Sequence, residues 1–143
     1  MTSRMPWSHR FSPVGRALVS LAAGAGVGLV GTLAHRMGAS ANVPYGLVLA
    51  FAVTALSTYA ARARQGVAGL AWHLIASSGV AWAIALFGGA GGDVLVVAGF
   101  GSAEVPFFSE HAGYIWLYGV ILVQVAMLAL PPRWFLIPPR DGE

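Results

Sequence analysis

Four long apolar stretches, separated by short polar segments, make up most of the 143-residue chain. They cover approximately residues 17–34, 44–60, 67–87 and 113–130. An α-helix rises about 1.5 Å per residue, so about 20 residues cross a hydrocarbon core roughly 30 Å thick. The pattern therefore predicts an all-α, polytopic integral membrane protein, in which four transmembrane helices form a single membrane domain over residues 1–143.

The basic residues divide the predicted polar segments into two sides. All eight basic residues are arginines. Seven of them lie before the first stretch, between the second and third, or after the fourth. Only Arg36 lies on the opposite side. Because cytoplasmic segments carry an excess of basic residues, we expect a multi-pass protein of the cytoplasmic membrane with both termini in the cytoplasm.

Aromatic residues near the ends of the stretches agree with this arrangement. Trp and Tyr are enriched where a membrane meets water, because their rings are amphipathic. The inner interface is predicted to hold Trp7, Tyr59 and Trp134, and the outer interface Tyr45, Tyr114 and Trp116. The lipid bilayer is thus the first expected partner.

Composition narrows the function classes. Hydrophobic residues are 57% of the chain, charged residues only 9%, and the mean hydropathy is +0.73, whereas soluble domains carry about 25% charge. The net charge of +3 does not indicate nucleic-acid binding, because the arginines lie at helix ends and not on one patch. The absence of cysteine excludes disulfides and thiolate ligation within this chain.

The longest segment between stretches, residues 88–112, is predicted to lie outside the cell. Residues 94–100 are apolar but too short to span a membrane, and predict either a short strand or a lid on the outer interface. Asp93, Glu104 and Glu110 make the loop acidic. These carboxylates are a candidate docking site for a basic partner.

Small residues recur every four positions along the first stretch. They are Ser20, Gly24, Gly28 and Thr32, which share one face of a helix. Such a stripe lets another helix approach closely, and close packing drives helix association in lipid. The partner is either another helix of this chain or another subunit.

Three polar residues predict a layer inside the membrane. Thr54, His73 and Gln124 each lie about six residues, or about 9–10 Å, from the cytoplasmic end of their stretch. Polar groups at that depth are costly unless they face protein, so we expect them to meet inside the bundle.

Two interpretations of this layer remain open. In the first, His73 and Gln124 form an interhelical hydrogen bond with a purely structural role. In the second, His73 carries a proton, ligates haem iron or binds a quinone, with Gln124 orienting it and Ser77 assisting. The stretches contain no carboxylate and no second histidine, and this absence favours the structural interpretation. We therefore assign no catalytic residue, metal ligand or cofactor.

Two short motifs carry a resemblance to a known family. They are Gly92-Asp93-Val94-Leu95-Val96 after the third stretch, and Gly113-Tyr114 with Leu117 and Gly119 opening the fourth. These motifs resemble a family of small actinobacterial four-helix membrane proteins, known only as a domain of unknown function. The resemblance covers residues 17–132. It implies the topology and a bacterial source, but no catalytic residue.

The leading expectation is a non-enzymatic accessory subunit that packs against a larger bacterial membrane complex, such as a respiratory or other energy-converting assembly. The small-residue stripe and the lack of a catalytic set motivate it. One alternative is a small transporter or channel that works as a homo-oligomer, lined by Thr54, Ser57, His73 and Gln124. Another is a redox or quinone-binding subunit that uses His73.

Overall fold

The computed structural model describes residues 5–88, 96 and 104–137. No β-strand occurs among these residues, most of which belong to three long helices: α1 (Pro13–Ala34), α2 (Tyr45–Phe87) and α3 (Phe107–Leu128). Short 3₁₀ segments accompany them at Trp7–Arg10, Ala39–Ala41 and Pro132–Phe135. The helices, without strands among the described residues, confirm the predicted all-α class. Each long helix is also apolar and long enough to cross a membrane.

The start of α1 lies ahead of the apolar stretch predicted from residue 17, because Ser12 and Pro13 form a helix N-terminus. Ser12 Oγ accepts a hydrogen bond from the Gly15 backbone N–H at 3.2 Å. Pro13 occupies the first turn, where its missing N–H leaves no hydrogen bond unmade. The helix ends at Ala34, where the stretch was predicted to end.

A break in the middle of α2 reverses the chain. Gln65 (φ −144°, ψ 17°) and Gly66 (φ 65°, ψ −145°) are not helical, and the positive φ favours glycine at position 66. Ser57 Oγ lies 2.8 Å from His73 Nε2, although the two residues are 16 positions apart. An unbroken helix would separate them by about 24 Å. The two arms of α2, residues 45–64 and 67–87, therefore lie side by side.

The two α2 arms overlap the second and third predicted stretches. The predicted start of the fourth stretch was wrong. α3 begins at Phe107 and not at residue 113, so the end of the predicted outer loop 88–112 is helical. Its first turn is tied to the α1–α2 connection. The Phe108 N–H donates to Asn42 Oδ1 at 3.2 Å, and Ser109 Oγ donates to Ala39 O at 3.0 Å. These bonds extend the helix beyond the apolar run.

Glycines bring α1 into direct contact with the second arm of α2. A Cβ placed on Gly24 would lie 2.5 Å from the His73 carbonyl oxygen, and one on Gly28 would lie 2.5 Å from that of Ser77. Both distances are shorter than real Cβ contacts, so no larger side chain fits without movement. Since these contacts advance in the same direction along both helices, α1 and the second arm run parallel.

Trp116 corrects the predicted outer interface. It is fully buried, and its ring packs against Phe51 with the centroids 5.8 Å apart. Its indole N–H donates to Thr32 Oγ1 at 3.0 Å, and the ring occupies the space that Gly31 leaves beside α1. Trp116 therefore belongs to the core, together with the apolar residues Leu47, Ala50, Ala81, Val96, Ala112, Leu117 and Val120.

Candidate functional site

Five polar side chains meet inside the bundle and are called here the polar cluster: Ser57, Thr58, His73, Ser77 and Gln124. The first arm of α2 supplies the first two, the second arm supplies His73 and Ser77, and α3 supplies Gln124. All are fully buried except Ser57, which is partly buried. The cluster thus joins three helical segments away from the outer surface.

Sequence spacing explains how the cluster forms. His73 and Ser77 are one helical turn apart and therefore share a face of the second arm. The backbone at these two positions is also where Gly24 and Gly28 of α1 make their close contacts. α1 consequently covers the cluster on one side without contributing a side chain to its hydrogen bonds.

The hydrogen bonds fix the orientation of the Gln124 amide. Its Nε2 lies 2.9 Å from the Val120 carbonyl oxygen and 2.7 Å from Ser77 Oγ. A carbonyl only accepts, so the amide nitrogen must face Val120. The amide oxygen then faces His73, where Gln124 Oε1 and His73 Nδ1 are 2.7 Å apart.

This orientation in turn fixes the tautomer of His73. Nδ1 must carry the hydrogen, because Gln124 Oε1 only accepts. Ser57 Oγ donates to Nε2 at 2.8 Å. The Thr58 hydroxyl lies 3.3 Å from Nδ1 and donates to the Thr54 carbonyl oxygen at 2.7 Å. A neutral imidazole therefore has a partner for each ring nitrogen: Gln124 accepts from Nδ1–H, and Ser57 donates to Nε2.

The predicted polar layer is brought together only in part. His73 and Gln124 bond directly, but Thr54 Oγ1 donates to Ala50 O at 2.7 Å, within its own helix. Thr54 is fully buried and reaches the cluster only through its carbonyl, which accepts from Thr58. Sequence reasoning missed Thr58, although it lies one turn after Thr54 on the same face.

Arg62 has a role that its position at a predicted helix end did not indicate. It is buried, its guanidinium donates to the Met127 and Leu130 carbonyl oxygens, and it lies 4.1 Å from the centroid of the Phe135 ring. The last carbonyls of a helix lack partners and attract cations. Pro131 indicated in the sequence that a helix ends just before it, and therefore that unpaired carbonyls would be present there.

The four residues of the small-residue stripe lie at contacts within this chain. Ser20 Oγ accepts from Arg64 Nη1 at 2.9 Å, and Thr32 Oγ1 donates to Gly28 O at 2.6 Å. Gly24 and Gly28 contact the second arm of α2, as described above. The stripe thus runs along the face of α1 that points into the bundle.

Two of the three predicted docking carboxylates belong to the residues that the structure describes. Glu104 is exposed, and Glu110 lies in the first turn of α3, with its carboxylate 3.9 Å from His111 Nδ1. Asp93 lies outside the described residues, as does most of the apolar segment 94–100. Across residues 5–88, 96 and 104–137, no group of three His, Cys, Asp or Glu side chains forms a candidate metal site.

A second buried histidine lies at another level of the bundle. His35 is buried beside Trp116, with the two rings stacked at a centroid distance of 6.5 Å, and its Nδ1 donates to Thr32 O at 2.5 Å. Trp116 precedes Gln124 by about 12 Å along α3. His35 and His73 are therefore too far apart to ligate one iron atom.

The chemistry open to the polar cluster follows from these bonds. An iron atom or a quinone bound at His73 would need a free ring nitrogen, but Nδ1 and Nε2 are both engaged. A ligand must first displace Ser57 or Gln124, and the cluster contains no carboxylate to receive a proton. No protein-family model, curated protein or solved structure matches the chain.

Proposed function

We propose that this protein is a non-enzymatic accessory subunit of the bacterial cytoplasmic membrane, which packs against a larger membrane complex. The observation that carries the proposal is the closure of the polar cluster. Its hydrogen bonds are satisfied within the chain, while the outward faces of the helices are apolar. Such a cluster holds helices in register and leaves the lipid-facing surface for packing.

The proposal includes four spans with both termini in the cytoplasm. At about 1.5 Å per residue, each arm of α2 is about 30 Å long, which matches the hydrocarbon core. Gln65 Nε2 donates to Pro13 O at 3.1 Å, so the α2 turn lies beside the start of α1. Arg10, Arg16 and Arg64 gather at that end of the bundle, which supports its assignment to the cytoplasmic side.

The lack of enzymatic activity is inferred from the cost of opening the cluster. Interhelical hydrogen bonds in membranes contribute about 0.6 kcal/mol each on average. A buried donor left without a partner costs about 1–3 kcal/mol. A reaction at His73 would have to meet this cost with every turnover, and the polar cluster contains no carboxylate to offset it.

Two exposed glycines support close packing against another subunit. A Cβ at Gly26 of α1 or at Gly79 of the second α2 arm would meet nothing within 4 Å. The helix backbone is accessible at both positions, as helix association in lipid requires. Glu104 and Glu110 add an acidic contact for a basic segment of the partner, which we place among respiratory or other energy-converting assemblies.

Co-purification tests the proposal. The tagged chain is isolated in a gentle detergent, and the eluate is analysed by mass spectrometry and visible absorption. We expect a larger membrane complex in fixed stoichiometry, whose cofactors identify it. Gly26→Leu and Gly79→Leu should reduce its recovery, whereas the control Ala52→Leu, at an exposed position of the first α2 arm, should not. A chain that elutes alone or only with itself would contradict the proposal.

A further inference from the structure

Two arginines and a histidine lie near one another at the end of the bundle where the α2 turn lies. His9 belongs to the 3₁₀ segment Trp7–Arg10, Arg16 to the first turns of α1, and Arg64 to the end of the first α2 arm. These three residues, called here the cationic niche, come from three separate parts of the chain. The polar cluster includes none of them.

A hydrogen bond to α1 and the spacing of residues along α1 place Arg64 near Arg16. Arg64 Nη1 donates to Ser20 Oγ at 2.9 Å. Ser20 follows Arg16 by four positions on α1, and such residues are neighbours on one helix face, about 5–6 Å apart between their Cβ atoms. Gln65 Nε2 donates to Pro13 O at 3.1 Å and holds the α2 turn against the same part of α1.

The charges of both arginines affect the pKa of His9. Burial, the charge of Arg64 and the charge of Arg16, in that order, lower the pKa of His9. His9 therefore lies within electrostatic range of both arginines. This concentration of positive charge adjoins the two exposed rings of Trp7 and Phe11, which stack edge to face with centroids 5.6 Å apart.

The described part of the chain provides no anion for these charges. Its only carboxylates, Glu104 and Glu110, lie at the opposite end of the bundle, by the start of α3. Arg64 Nε is buried and has no hydrogen-bond partner. Buried polar atoms are normally satisfied, so an orphan donor within a group of like charges indicates a missing acceptor.

We propose that the cationic niche binds a phosphate group. A phosphate presents several acceptor oxygens to the two guanidinium groups, which bind such oxygens with directed, charge-assisted hydrogen bonds. One of these oxygens satisfies Arg64 Nε, and the negative charge relieves the repulsion between Arg16 and Arg64. Trp7 and Phe11 are exposed beside the niche, and Trp is enriched where a membrane meets water, at the level of the lipid headgroups.

Two sources supply this chemistry: the phosphodiester of an anionic phospholipid and free phosphate. Native mass spectrometry of the full chain in detergent distinguishes them. Phosphatidylglycerol is added, phosphatidylcholine serves as the zwitterionic comparison, and inorganic phosphate is the competitor. Displacement of bound phosphatidylglycerol by millimolar phosphate assigns the site to free phosphate, whereas its retention assigns it to the lipid.

Charge-neutralising variants test the site itself. Arg64→Gln and Arg16→Gln should each weaken phosphatidylglycerol binding about tenfold, the effect of losing one charge-assisted hydrogen bond. The control Arg133→Gln removes the same charge from an exposed position of the 3₁₀ segment Pro132–Phe135 and should change binding less than about twofold. Equal binding by all three variants, or an equal loss in all three, would overturn the proposal.

A second readout does not depend on the Arg64→Gln variant remaining folded. A phosphate in the niche adds negative charge beside His9 and should raise its pKa, which NMR titration of the histidine-labelled chain measures. The rise should occur with phosphatidylglycerol and not with phosphatidylcholine if the lipid is the source, and with inorganic phosphate if free phosphate is. No change in the His9 pKa with either anion would contradict the proposed site.

Discussion

The polar cluster and the cationic niche handle polar groups in opposite ways. Around His73, each donor faces an acceptor of the same chain, and the imidazole fits as a neutral ring. Around Arg64, charges of one sign gather and a buried donor has no partner. The difference indicates that the cluster is complete without a ligand, whereas the niche becomes complete only when an anion enters.

The largest expected effect comes from forcing α1 away from the cluster. Gly24→Leu places a side chain where even a Cβ would lie 2.5 Å from the His73 carbonyl oxygen. We expect a loss of about 3 kcal/mol in the free energy of unfolding, at the upper end of overpacking costs. The matched control is Gly26→Leu, since a Cβ there meets nothing within 4 Å. Thermal unfolding in detergent compares the two, and equal stabilities would show that α1 does not pack closely on His73.

Opening the cluster at its centre should have the next largest effect. Gln124→Leu leaves the His73 Nδ1–H without the Gln124 acceptor and removes the hydrogen bond that Gln124 Nε2 donates to Ser77 Oγ, which should cost about 2 kcal/mol of stability. The double variant His73→Leu with Gln124→Leu removes both partners and should recover part of that loss. Chemical denaturation of the two single variants and the double variant measures the coupling. Simple additivity would mean that the two side chains do not interact.

An anion should stabilise the protein only through the cationic niche. At a phosphatidylglycerol concentration ten times its Kd, binding should add about 1.4 kcal/mol to the wild-type free energy of unfolding. The same lipid should add much less to Arg64→Gln, whereas Arg133→Gln should behave like the wild type. Melting temperatures with and without lipid test this, and an equal lipid effect on Arg64→Gln would refute it.

The smallest expected effect is on pH dependence. The folded state lowers the pKa of His9, so below about pH 6.5, the ordinary value, the unfolded chain binds more protons than the folded chain. The His9 contribution is therefore fully present above that pH and is lost as the pH falls towards the lowered value. His9→Gln should flatten this part of the stability profile. Unfolding curves between pH 8 and about pH 5 that superimpose for both proteins would contradict it.

The sequence predicted the helical segments well because length and apolarity determine them. α1, the two arms of α2 and α3 overlap the four apolar stretches, but the starts of α1 and α3 differ from the predicted ones. Residues 107–112 are helical because Asn42 and Ser109 hydrogen-bond across the connection, a contact between distant positions. Hydropathy contains no information about such contacts.

The candidate site was predictable only where depth alone decides it. The predicted depths of His73 and Gln124 are equal, and counting residues from the predicted helix ends was enough to pair them. Thr54 has a similar predicted depth, but its hydroxyl donates to the Ala50 carbonyl oxygen. The direction of a side chain cannot be read from its depth. The burial of Trp116 depends on the space beside Gly31, which only the packed bundle reveals.

The most direct test of the account is co-purification of the double variant His73→Leu with Gln124→Leu beside the wild type, in a gentle detergent. We expect both chains to recover the same larger membrane complex in the same stoichiometry and with the same visible absorption spectrum, since the polar cluster only holds the subunit together. A folded double variant that loses the complex, or changes its spectrum, would contradict a purely structural role for His73. A wild-type chain that elutes alone would contradict the accessory-subunit proposal itself.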